Sequence, residues 1–268
     1  MRSNPVEGRL ELVFARRGAR TTLAHAHARA PLKIVRPFPL DGGRQLVQIL
    51  TLGPGICAGD AYAIDVTVEP GASAVVITQS ASRIHRMPDG SRGTQTVTLT
   101  VRSGGHLEYY PGLTIPFPGS EFAQTIDVAV EAGGRFGLLE CWAMGRVGRG
   151  EYLRFRALSS RTEVMVDRVP AYADTLHLDP RAIDLAGHGL LEKHRYLASG
   201  YWYGAEVPAS RGNGGGVLSA LGETSPGHAY FRALAMDSPA LGRALGDAVK
   251  QVYRSWNLQT APVPRFAC

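Results

Sequence analysis

The chain has 268 residues, 44% hydrophobic and 19% charged, which is the balance of a folded globular protein and excludes a solvated or fibrous one. It holds no run of about 18 apolar residues, and the N-terminal MRSNPVEGRLELVF lacks the blocks of a signal peptide, so no membrane span and a cytoplasmic address are expected. The net charge of +6 rests on arginines spread along the chain, with only Lys33, Lys193 and Lys250 as lysines and no basic helix, so no nucleic-acid partner is expected.

From residue 9 to about 180 the chain reads in period two, with short apolar alternations between glycine and proline punctuation. The clearest strands are RLELVFAR (9 to 16), TTLAHAHAR (21 to 29), RQLVQILTL (44 to 52), AYAIDVTVE (61 to 69) and TQTVTLTVR (94 to 102). Segments starting at Ile64, Val97 and Ile126 repeat one unit of strand, tight glycine turn and strand, which predicts stacked hairpins wrapped round a shared core. Composition shifts after Pro180, so 181 to 268 is read as a mixed part of the same single domain, 1 to 268. There SRGNGGG (210 to 216) reads as a flexible loop, GVLSALG and HAYFRALA as short strands, and 238 to 256 as a helix. In that helix Ser238 is the expected cap, Pro239 fits the first turn, and Leu241, Leu245, Val249 and Val252 share a face. The expected fold is therefore mainly β, an irregular coiled sheet with a small C-terminal α portion.

Between the third and fourth of those strands, LGPGICAGD (52 to 60) spells GxGxxA, the form of a dinucleotide-binding turn. That chemistry requires a helix to follow, because helix N-terminal amides hold the pyrophosphate. A strand follows instead, and Pro54 removes one amide donor, so the elbow reads as a turn. Cys57 and Asp60 within it are possible metal ligands, although a buried thiol is more often filler and an aspartate after glycine more often locks its own turn. Cys57, Cys141 and Cys268 are too widely spaced for a disulfide framework or a structural zinc site. His25 and His27 share one strand face, and His85, His106 and Glu108 lie near strand ends. No GxSxG elbow or close Cys–His pairing suggests nucleophilic catalysis.

A series of motifs carries more information than any one of them. PLKIVRPF, GPGICAGD, VEPGASAVVITQSASRIHR, LEYYPGLTIPFPGSEF, LLECWAMGRVGRGEY and VDRVPAYADTLHL, with the PVPRF tail, resemble in order and spacing the urease accessory protein UreD (UreH) family. The elbow departs from that family's usual GGxVGGD at Pro54, Cys57 and Ala58. The resemblance implies a coiled β fold and a maturation factor that is not itself an enzyme. It implies a protein that binds UreF, through it the GTPase UreG, and apo-urease in a hetero-oligomeric complex, and that assists nickel delivery. No tightly bound cofactor is implied, only transient Ni²⁺. Carried over by motif, Asp60, Glu140 and Asp174 are candidates for a transient nickel path, with Glu108 weaker and His85 and Cys57 as added ligands. A path of this kind needs scattered oxygen ligands that release the ion, rather than a closed thiolate or imidazole set. The alternatives are a β-helical binding module unrelated to urease, and a hydrolase or lyase using His85, His106 and Glu108.

Overall fold

The computed structural model describes residues 4–259, so the tail APVPRFAC and Cys268 lie outside the described residues. An antiparallel pair, β1 (Glu7–Arg17) and β2 (Arg20–Arg29), opens the fold, followed by short β3 (Leu32–Ile34), β4 (Phe38–Pro39) and β5 (Gln45–Thr51). Three coils come next: β6 (Ala61–Val68) with β7 (Ser73–Thr78) and β8 (Ser82–Ile84); β9 (Gly93–Val101) with β10 (His106–Tyr110) and β11 (Leu113–Pro116); β12 (Glu121–Val130) with β13 (Arg135–Ala143). The hairpin β14 (Ala157–Val166) and β15 (Val169–Leu178) precedes β16 (Tyr196–Tyr203), β17 (Ser210–Gly214), β18 (Val217–Ser225), β19 (His228–Ala235) and the helix α1 (Ser238–Ser255).

The three sequence copies are arches rather than hairpins. Their first arms, β6, β9 and β12, pair in parallel within a seven-stranded sheet, and their second arms, β7, β10 and β13, pair in parallel within a twelve-stranded one. Ile64, Val97 and Ile126, the equivalent starts of the copies, stand opposite one another. The reason lies in the alternation: each arm turns one apolar face inward, and two such faces are both buried only if the arms lie across a core from each other. Gly71, Gly104 and Gly133 occupy the same place in successive turns at φ of 66, 65 and 68, a left-handed conformation that favours glycine.

Inward rows such as Leu12, Val66, Leu99, Val128 and Val164 fill the space between the sheets. A second core lies on the opposite face of the twelve-stranded sheet, where Leu241, Leu245, Val249 and Val252 of α1 pack against Leu139, Ala198 and Phe231. The cap of α1 is Asp237 rather than Ser238, its carboxylate accepting from the Ala240 amide at 2.7 Å. SRGNGGG is likewise not a free loop, because Ser210–Gly214 pairs antiparallel with β18 and only the glycines that follow make the turn. Among the described residues, no helix is long and apolar enough to cross a membrane.

Tight turns join the arms at one end of the coils, and longer loops join successive coils at the other. Those loops are themselves stacked: Gly59 donates to the Arg92 carbonyl at 3.0 Å, Met87 to Gly119 at 3.2 Å, and Gly119 to Arg154 at 2.8 Å.

Candidate functional site: a polar thread between the sheets

The elbow is a turn, locked by Asp60. Its two carboxylate oxygens accept from the Val6 amide at 2.9 Å and the Cys57 amide at 2.8 Å, and the residue is buried. The strand that the sequence requires after the elbow is β6. His85 meets the Pro54 carbonyl through Nε2 at 2.9 Å and packs against Phe117, with ring centres 4.8 Å apart. The Cys57 thiol is half-buried, and burial followed by the Asp60 charge pushes its pKa up, away from the thiolate that binds metals. With both Asp60 oxygens committed to backbone donors, Asp60→Ala is expected to cost about 1–3 kcal/mol by leaving those amides unpaired. A urea midpoint measurement checks this.

Glu108 lies under α1, far from the elbow in the fold. It is fully buried, accepts from Arg44 Nη1 at 3.1 Å and from the Tyr253 hydroxyl, and stands 3.5 Å from His106 Nε2. Burial pushes the Glu108 carboxyl up, and Tyr253 and Arg44 pull it back toward the charged form. His106 is held neutral, its pKa pushed down to about 3 by burial and then by the nearby Arg44 and Arg135 charges. Its ring edges onto Trp256 at 4.7 Å. Arg44 also donates to the Gln259 carbonyl at 2.9 Å, so the cluster fastens the end of the chain's helical part to the sheet. The hydrolase reading thus finds His106 and Glu108 in a packed interior and His85 in a different loop.

Glu140 and Asp174 do come together. Glu140, on β13, projects between the sheets and is almost wholly buried. Its Oε1 accepts from Gln124 Nε2 and Ser160 Oγ, each at 2.8 Å, and its Oε2 from Thr162 Oγ1 at 3.0 Å. Gln124 in turn accepts from Gln95 Nε2 at 2.8 Å. Thr162 sits directly opposite Asp174 in the β14–β15 register, and Asp174 receives Arg232 Nη2 on both oxygens at 3.0 Å. Burial, with Asp174 adding to it, pushes the Glu140 pKa up. The nearby Arg146 does not reach Glu140: it is held by Glu151, with Nη2 to Oε1 at 2.6 Å.

The result is a thread of polar groups crossing an otherwise apolar core: Gln95, Gln124, Glu140 and Thr162 are hydrogen-bonded in series, and Asp174, bonded to Arg232, is the register neighbour of Thr162. Beside it lies a cavity of about 20 Å³, reached also by Thr51 and Thr114, the size that holds about one water. Among the described residues, no group of three or more His, Cys, Asp or Glu side chains converges on a metal position. The thread holds two carboxylates with amide and hydroxyl oxygens, and each carboxylate is engaged by donors of the chain: Glu140 by Gln124, Ser160 and Thr162, Asp174 by Arg232. Gln95, Gln124, Ser160 and Thr162 had a readable signal: each occupies the inward phase of its strand, where Val97, Ile126 and Val164 set the apolar rule.

Nearly the whole chain matches one family model. It is that of the UreD urease accessory protein, and it spans residues 6–268. The chain belongs to the UreD family. It is 40% identical over 227 residues to urease accessory protein UreD 1 of Synechococcus sp. (strain JA-3-3Ab), covering 84% of each protein. It is 36% identical over 249 residues to the urease accessory protein UreD of Deinococcus radiodurans, covering 91% of this chain and 89% of that one. To urease accessory protein UreD 2 of Streptomyces griseus subsp. griseus it is 33% identical over 209 residues, covering 76% of this chain and 71% of that one. UreD membership agrees with the coiled β fold, and it places the Gln95-to-Asp174 thread in the interior of a protein that relatives' names connect with urease.

Proposed function

We propose that this UreD-family chain is a non-catalytic urease maturation factor of the cytoplasm. It binds UreF, through UreF the GTPase UreG, and apo-urease, and it gives Ni²⁺ an enclosed route toward the urease active site along the thread that includes Glu140 and Asp174. The match to the UreD family over residues 6–268 carries the reading, and the polar thread gives it a physical basis. Nickel loses to copper at most ligand sets, so enclosure selects the ion better than affinity does. A route that must release its ion is best lined by single oxygen ligands in series. In this reading Asp60, Glu108, His85 and Cys57 hold turns and packing contacts rather than the route.

Deletion of the gene in its own organism tests the maturation role. Urease activity and urease-bound nickel are expected to fall by roughly tenfold or more, with urease protein still made, and both return on complementation. Unchanged activity and nickel content would refute the role.

A further inference from the structure

The loop end of the coils carries a charge pattern that neither the fold nor the thread requires. Seven arginines project from the stacked segments 83 to 92 and 144 to 156. Two are committed to structure. Arg156 is buried against Asp89 at 2.7 Å, the Ser91 carbonyl at 2.7 Å and Glu121 at 3.4 Å, and Arg146 is held by Glu151 and covers the Phe117 ring at 4.3 Å. These contacts engage Glu121, Glu151 and one oxygen of Asp89, while Asp60 is spent on the elbow. Arg83, Arg86, Arg92, Arg149 and Arg154 remain, all exposed, and among the described residues none of the five makes a side-chain hydrogen bond or salt bridge; Arg149 and Arg154 only share the field of Glu151, which Arg146 already holds.

The contrast with the outer face of the seven-stranded sheet is direct. There Arg9, Arg29 and Arg161 each meet a carboxylate of the same chain, and at the tight-turn end Arg102 meets Glu131. At the loop end the supply of acids runs out. The loops that carry the five arginines are joined backbone to backbone: Ile56 donates to the Arg83 carbonyl at 2.8 Å, Gly59 to Arg92 at 3.0 Å and Gly119 to Arg154 at 2.8 Å, and the Arg86 stem lies over Gly119. The charges therefore stand on a fixed platform rather than on free loops, so little order is lost when a partner meets them. Arginine forks suit carboxylates as well as phosphates. Asp89 holds Arg156 through one oxygen only, and its carboxylate, fully exposed, stands among them. It opposes a polyphosphate strand or an anionic lipid surface, and it fits a protein face of mixed sign that is mainly acidic.

We propose that this end of the molecule docks a carboxylate-rich protein face within the urease assembly. The inference rests on the maturation reading for the identity of the assembly, and on the unpaired arginines for the place of contact. Docking there sets the long loops, rather than the tight glycine turns, against the partner.

The experiment co-expresses the tagged full chain with the urease subunits and accessory proteins of its source organism. It compares the native chain with a variant carrying Arg83→Ser, Arg86→Ser, Arg149→Ser and Arg154→Ser. Exposed, unpaired arginines contribute little to stability, so the variant is expected to melt within about 2 °C of the native chain. The native chain is expected to retain partner subunits at about 50 mM salt and release them near 500 mM, where screening shortens to a few ångströms. The variant is expected to retain roughly tenfold less at low salt. Equal retention with the same salt dependence overturns the proposal, as does failure of the native chain to retain any of these proteins. So does a variant that keeps its protein partners but loses binding to heparin or to phosphatidylserine vesicles. Gene deletion reports on the maturation role separately, so intact nickel loading with equal retention by the variant removes the docking surface alone.

Discussion

Arg44→Ala is expected to destabilise the chain by about 3–5 kcal/mol, because it strips the paired guanidinium from a fully buried carboxylate. Glu108 keeps the Tyr253 hydroxyl but loses its guanidinium partner, and the Gln259 carbonyl loses that donor as well. The pH dependence identifies the cause. Without Arg44, the folded-state carboxyl titrates above its unfolded value near 4.5, so the folded state holds a proton that the unfolded state releases. Stability specific to the variant is then present below about 4.5 and falls as pH rises through the folded value, by up to about 1.4 kcal/mol per pH unit. His106 acts in the opposite sense in the native chain: its pKa is depressed to about 3, so its contribution is present above about 6.5 and lost as pH falls. The quantity to compare is therefore the gap between native and variant urea midpoints, which is expected to narrow from about pH 7 to about pH 4. Arg44→Ala with Glu108→Gln is expected to recover most of the loss, since a neutral amide replaces the stranded charge. A gap that stays constant with pH, with no recovery in the double variant, would contradict an ion pair that carries this packing.

Glu140→Gln is expected to lower nickel loading of urease by roughly tenfold, the loss of one charged ligand being worth about 1.5–3 kcal/mol. The fold is expected to survive, with a change below about 1 kcal/mol. Glutamine preserves the shape of this side chain and the oxygen to which Ser160 and Gln124 donate. Asp174→Asn, opposite Thr162, is expected to add to the effect, because the two carboxylates lie on successive stretches of one thread. Glu11→Gln, on the outer face of the seven-stranded sheet, serves as the control and is expected to leave loading unchanged. Urease-bound nickel measured after co-expression decides the matter, and full loading in the Glu140→Gln, Asp174→Asn double variant would refute the route.

Much of the scaffold was legible in the sequence. Alternation with glycine punctuation located β1, β2, β6 and β9 within a few residues, and the three copies proved to be in register at Ile64, Val97 and Ile126. The arms were misread as hairpins because a strand, a glycine turn and a strand look the same locally whether the arms pair or part. SRGNGGG was misread as a loop because strand pairing, not local preference, holds its first residues. Of the acids singled out, Glu140 and Asp174 share a thread, while Asp60 and Glu108 serve the elbow and the helix.

Strands, repeat, helix and family can be read along the chain, because alternation, turn residues and motif order act over a few residues and survive without a fold. Which polar groups meet depends on the packing of distant segments. Glu108 takes Arg44 from 64 positions away and Tyr253 from 145, Asp60 takes Val6 from 54, and the thread forms only where strands from both sheets face each other. Burial forces such groups to find partners wherever the packing brings them, and that choice is made between segments rather than within them.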